Sequence, residues 1–151
     1  MTTSDIKQIA EHHLSKARVM QLATSAGGQP WVCSVYFVVD EQLNIYWLSW
    51  PERRHSQELA KNPKAAVTIA IKTDLPVVGL GAEGVVNEVK NAKIVKKMAD
   101  KYIEKYDFAQ TFYERFIAGK NEHKMYVLKP KKYVLFDEVN FPDQGSLDFT
   151  L

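Results

Sequence analysis

"RVMQLATSAGGQPWVCSVYFVVDEQLNIYWLS", Arg18 to Ser49, is the stretch whose reading decides the fold. It is dense in β-branched and aromatic residues, which favour a pleated, half-buried backbone. Two short turn signals interrupt it: "GGQP" from Gly27 to Pro30, and "EQ" at Glu41 and Gln42. "RVMQLATSA", "WVCSVYFVVD" and "LNIYWLS" therefore read as three closely spaced strands, an antiparallel meander. Spacing this short leaves no room for the crossover helix that parallel strands require.

Working outward from that core, "AAVTIAI" (65–71) reads as strand four and "VVGLGAEGVVNEV" (77–89) as strand five. Gly79, Gly81 and Gly84 inside the latter point to a bulge, a sharp bend or a close approach of another group. A helical region spans about Ala92 to Ala118, with a break near Tyr106-Asp107. One face carries Ile94, Val95, Met98, Tyr102 and Ile103, continued by Phe108, Phe112, Tyr113, Phe116 and Ile117, and reads as core packing. "HKMYVLKPKKYVLFD" (123–137) is the last strand, bulged or set at an edge by Pro130. Residues 138–151 read as a tail. Ahead of the first strand, Asp5 to Ser15 reads as a helix with Ser4 as N-cap and Ile6, Ile9, Ala10 and Leu14 on one face. The adjacent His12 and His13 point about 100° apart on a helix, and surface positions are expected for both. The sum is a single mainly β (α+β) domain over 1–151. Its six antiparallel strands form a small barrel within about 16–137, decorated by helices, and closure of that barrel removes exposed strand edges.

Composition narrows the function classes. The chain has 151 residues, 46% apolar and 25% charged, values typical of a soluble domain with a real core. No run approaches the roughly 20 apolar residues that span a bilayer, and the polar start "MTTSDIKQIAEHHLSK" has no signal-peptide core. A cytoplasmic protein without membrane partners is the expectation. A net charge of +2, with lysines interleaved with acids along "KNAKIVKKMADKYIEK", does not make a nucleic-acid-binding face. The single Cys33 forbids an internal disulfide and a thiolate metal site, and reads as a small buried strand residue. There is no G-x-S-x-G elbow, Walker loop or H-E-x-x-H, and "GLGAEG" has no following helix to make it a dinucleotide fingerprint.

Between strands three and four lies a short helix, Arg53 to Lys61, ended by Asn62-Pro63. Its apolar content is only Leu59 and Ala60, little to dock it by burial. Ser49 and Glu52 have the spacing of a capping box, and Pro51 suits the approach to a first turn. The unusual feature is Arg53, Arg54 and His55 where the helix dipole already places positive charge. Two readings stand side by side. Either the turn is solvated and paired with Glu52 or Glu58, or two guanidiniums, an imidazole and the free amides converge on an anion such as phosphate.

From about Arg18 to Asp137 the chain resembles the FMN-binding split-barrel family related to pyridoxamine 5′-phosphate oxidase, in particular its small general-stress-protein-like members. "VMQLATSAGGQPWVCSVYFVVDEQLNIYWLS" is similar to the family's first three strands. "RRHSQELAKNPKAAVTI" is similar to its phosphate-side helix and following strand, and "GAEGVVNEV" to its fifth strand. The resemblance implies a homodimer with cofactor sites between the subunits and FMN, or another flavin or a deazaflavin, as cofactor. It implies phosphate contacts at Arg54 and His55, with Arg53 beside them. It also implies flavin and phosphate contacts at Leu48 and Ser49, and a ring lying along strand two from about Cys33 to Tyr36, at Ser34, Val35 and Tyr36. His55 stands where lysine is common, and the position near Cys33 that is often arginine is not basic. "FPDQGSLDFTL" does not resemble the arginine-containing motif that holds substrate in the true oxidase, so pyridoxamine phosphate oxidation is not expected. The implied function is a flavin-dependent oxidoreductase acting on a small molecule; the alternative is a non-enzymatic flavin- or haem-type binding or stress-related protein with a weakened flavin site.

Overall fold

The computed structural model describes residues 1–107 and 110–151. Phe108, assigned above to the apolar helix face, lies outside the described residues. In chain order the elements are α1 (Thr3–Lys16), β1 (Val19–Ala26), β2 (Gln29–Tyr36), β3 (Val38–Val39), β4 (Ile45–Ser49), α2 (Arg54–Lys61), β5 (Lys64–Lys72), β6 (Val78–Glu88), α3 (Ala92–Tyr106), α4 (Gln110–Ile117), β7 (Lys124–Asp137) and β8 (Leu147–Phe149). The strands make one antiparallel sheet in the order β2-β1-β5-β6-β7-β4-β3, and β8 adds to β7. β2 and β3 occupy opposite ends of that order, yet only Phe37 separates them in the chain. One residue spans a few ångströms. The sheet must therefore curl until its ends meet, and it forms a half-barrel flanked by helices.

This architecture corrects the meander. The Gly27-Gly28 turn, with both residues at positive φ (59° and 77°), closes the β1–β2 hairpin as expected. The third strand, however, does not pair with β2. The chain breaks at Phe37, after which β3 pairs with β4. Tyr106 stabilises the break, its hydroxyl accepting from the Phe37 amide at 3.0 Å. Splitting the second strand, and adding β8 from the tail, gives eight strands instead of six. The tail is not loose either. Phe141 and Phe149 are buried, and Phe149 stacks on Tyr133 at 5.3 Å.

Alternation along the strands sorts the side chains. Met20, Leu22, Ile45, Trp47, Ile69, Leu80, Leu128 and Leu135 line the interior, each essentially fully buried and worth about 1.5–3 kcal/mol on burial. A second cluster forms where Met98, Ala99, Tyr102 and Tyr106 of α3 pack on Val38, Tyr46, Met125 and Val127. Of the three strand-five glycines, Gly84 has the steric reason. It lies opposite the bulge at Pro130, where a Cβ would meet the Lys129 carbonyl oxygen at 2.1 Å. The long helical region divides at the expected place, α3 ending on Asp107 in the left-handed conformation.

Two expectations at α1 need correction. Its N-cap is Thr2, not Ser4: Thr2 and Asp5 form a capping box two residues earlier. His12 is exposed, but His13 is part-buried, with Nε2 3.0 Å from the buried Asp137 carboxylate. Among the described residues no helix is long and apolar enough to cross a membrane.

Candidate functional site

Strand β4 delivers Ser49 to the end of the half-barrel, and a turn closed by the Arg53 amide donating to the Trp50 carbonyl (3.1 Å) leads into α2. The capping box expected from Ser49 and Glu52 does not form. Arg53 is the N-cap and provides no side-chain cap. Ser49 still belongs to β4, and its hydroxyl lies 2.6 Å from His55 Nε2.

The cationic first turn does not converge on one point. Successive side chains on a helix diverge by about 100°, and each finds a different neighbour. Arg53 lies over the Trp50 ring at 5.2 Å. Arg54 lies over Trp31 at 4.1 Å, its Nε donating to Glu58 at 2.8 Å. His55 turns inward, 8% exposed, against Ser49. Burial lowers the His55 pKa from its ordinary value, Arg53 lowers it further and Glu58 opposes them, so the imidazole is neutral at pH 7.

Polar contacts do the docking that Leu59 alone would do weakly. Glu58 receives the buried Thr24 hydroxyl (2.8 Å) as well as Arg54, and these two hydrogen bonds hold its carboxyl below the usual range. Asn62 donates from Nδ2 to the Ser25 carbonyl at 3.0 Å. Glu58 thus fixes Arg54 by one edge, and the terminal guanidinium nitrogens have no hydrogen-bond partner among the described residues. Half of that side chain is exposed (48%), so it remains open to an anion.

The strand residues divide by facing. Ser34 and Tyr36 point outward and are exposed, whereas Val35 is partly buried against the core. Leu48 is partly buried against the second cluster. Tyr102 links the two strand ends: its hydroxyl accepts from the Leu48 amide (3.2 Å) and donates to the Tyr36 carbonyl (2.7 Å). Burial raises the Tyr102 phenol well above its ordinary value and keeps it a donor. Sequence reading took Tyr102 for core alone and marked Tyr106 only as the place of a helix break. The available signal was two tyrosines four residues apart, in a stripe where phenylalanine would have packed as well.

Next to Trp50 stands His123, whose Nδ1 accepts from the indole Nε1 at 2.8 Å. Phe112 meets the His123 ring edge-on at 5.2 Å. This aromatic group was not anticipated, because its members come from the approach to β7, α4 and the β4–α2 turn. On the sheet's outer face, Val19, Val32 and Tyr36 are exposed beside the small residues Ala23, Ala66 and Thr68.

Residues 6–135 match the family described as Pyridoxamine 5'-phosphate oxidase. No curated protein matches the chain. Among solved structures, an F420 reductase is similar at 23% identity and a TM-score of 0.64, over 82% of this chain and 94% of that one. The haem storage protein HutZ from Vibrio cholerae is similar at 17% identity and a TM-score of 0.63, over 93% of this chain and 92% of that one. A haem-binding protein from Mycobacterium smegmatis is similar at 16% identity and a TM-score of 0.72, over 93% of this chain and 57% of that one. At these identities the likeness is one of fold.

Proposed function

The chain belongs to the pyridoxamine 5'-phosphate oxidase family, and from that premise we propose that it binds a flavin-type cofactor, FMN or a deazaflavin, and works as an oxidoreductase on a small molecule. The observation that carries this reading is the start of α2. An uncapped helix presents free amides beside Arg53 and a half-exposed Arg54 held by Glu58. That is a donor set for a phosphate. Arg54 and the first-turn amides would hold the anion, with Arg53 lying beside them over Trp50. Ser49 and neutral His55 would shape the wall, with Ser34, Tyr36 and the Leu48–Tyr102 link along the ring. Bound there, the flavin would supply hydride transfer, and the protein orientation and electrostatics. The exposed outer face of β1, β2 and β5 supports a homodimer with the cofactor between subunits; a stable interface of this kind buries more than about 2,000 Å².

The visible absorption spectrum of the purified protein, before and after adding FMN or a deazaflavin, tests this. Bound flavin should shift and sharpen the flavin bands, and a spectrum equal to the sum of the separate components would overturn the reading. Arg54→Ala should weaken binding by about 1.5–3 kcal/mol, the worth of a charge-assisted hydrogen bond. Lys61→Ala, at the other end of α2, should change it little. Equal affinities in a fluorescence titration would remove Arg54 from the site. A haem-binding role is the second reading, favoured by the two haem proteins among the structural relatives. A Soret band that saturates with added haemin, with no flavin binding, would select it.

A further inference from the structure

We propose that the cavity between the start of α3, the end of α4 and the paired ends of β6 and β7 binds an amphipathic organic anion, a monocarboxylate with an apolar tail. The cavity is half open to solvent and has a volume of about 560 Å³. That is the size of a small-molecule pocket and too small for a protein helix. It shares no lining residue with the proposed phosphate cradle, and it does not depend on the flavin reading.

Its floor is apolar because the second core cluster reaches the surface there. Val89, Val95 and Phe116 pack against that cluster, and Met125 belongs to it. The Val89 amide donates to the Met125 carbonyl at 2.8 Å, so this floor offers no unsatisfied amide from Val89. The outer wall follows from the way α4 stops. Gly119, at φ +71°, turns the chain back, with its amide donating to the Phe116 carbonyl (3.0 Å) and that of Lys120 to the Arg115 carbonyl (2.8 Å). Asn121 and His123 then close the cavity on the way into β7.

The rim selects the charge. Lys90 and Lys124 line it, both exposed and without an ion pair among the described residues. Lys96 is committed to Asp100 at 3.1 Å. Glu88 is the one carboxylate lining the cavity among the described residues. His123 carries less charge than a free imidazole, because burial and then Arg53 lower its pKa. Two uncommitted ammonium groups against one carboxylate favour an anion. The apolar floor rewards a tail, and a cation would be repelled.

Decanoate and decanol are suitable probes, since they share a tail and differ in charge. Calorimetric titration of the full chain at low salt should show decanoate saturating one site per chain. Backbone amide NMR shifts should centre on Val89, Val95, Phe116 and Met125. Decanol should bind at least fivefold more weakly. The double variant Lys90→Met/Lys124→Met should lose roughly tenfold in decanoate affinity, the combined worth of two exposed charge contacts. Its decanol affinity should stay within twofold, and its unliganded amide spectrum should confirm an intact fold. Non-saturable binding, shifts centred elsewhere, equal affinity for the two probes, or a double variant that binds decanoate as wild type does would each overturn the proposal.

Discussion

Thr2-x-x-Asp5 and Ser49-x-x-Glu52 have the same capping-box spacing, and each stands just ahead of a helix. At α1 the box closes. Asp5 accepts from the Thr2 amide (2.7 Å) and hydroxyl (2.8 Å), and the Thr2 oxygen accepts from the Asp5 amide (3.2 Å). At α2 it does not, because Ser49 is still in the ladder, paired with Lys124 of β7. Its hydroxyl is spent on His55, and the helix starts only at Arg54, five residues later. A local motif decides local structure only where no longer-range pairing claims its first residue. The consequence differs too. At α1 side chains take up the Thr2 and Asp5 amides, whereas no side chain caps the first amides of α2, which stand beside two arginines.

The comparison can be broken most forcefully at His55. If the Ser49 hydroxyl belongs to His55, His55→Ala removes a buried ring and orphans a buried hydroxyl. Unfolding in urea at pH 8 should show a loss of about 2–3 kcal/mol. Glu52→Ala, which removes no cap in this arrangement, should stay within about 0.5 kcal/mol of wild type. A Glu52→Ala loss as large as that of His55→Ala would mean that the box forms after all. A pH profile sharpens the point. The folded pKa of His55 lies below its unfolded value near 6.5. Its contribution is therefore complete above about pH 6.5 and is lost as pH falls through the lower folded value. The difference between wild type and His55→Gln should shrink over that range; a difference constant from pH 8 to 5 would contradict a buried neutral imidazole.

The same contrast shows what the sequence could carry. Period-two patterns, the glycine turn and the Asn62-Pro63 stop are local, and they located the hairpin, α2, β5 and β6. The break at Phe37 was not legible, because the group that takes its backbone, Tyr106, lies 69 residues away in the chain. The site was half legible for the same reason. Arg53, Arg54 and His55 announced themselves as an oddity of charge. Their divergence onto Trp50, Trp31 and Ser49 depends on where β2 and β4 lie around the helix. The burial of the Ser49–His55 pair likewise follows from the strand end, not from the triplet.

A smaller effect belongs to Thr2→Ala. Losing an N-cap oxygen costs typically about 1 kcal/mol, and a cap as solvent-exposed as this one should come in at or below that. Thermal unfolding should show a modest drop, and amide exchange should accelerate in the first turn of α1 while α2 is unaffected. Ser49→Ala should leave the exchange of the first α2 amides unchanged, since Ser49 does not cap them. Faster exchange there would restore Ser49 to the role its spacing suggested.

The smallest expected effect is the titration of Asp5. Its carboxyl is held below the ordinary value first by the hydrogen bond from the Thr2 amide and then by that from the Thr2 hydroxyl. A depressed folded pKa means that the capped form is favoured above the unfolded value, near 3.9, and that this preference is lost as pH falls through the folded value. Thr2→Ala removes only the second of the two donors, because the backbone N–H survives the substitution. The Asp5 pKa, followed by NMR of its side-chain carboxyl carbon, should therefore rise part of the way toward the unperturbed value and stop short of it. Full restoration would mean that the hydroxyl alone held the carboxylate. No change would mean that the amide alone does, and the α1 box would then be half a box, closer to the α2 start than its sequence spacing implies.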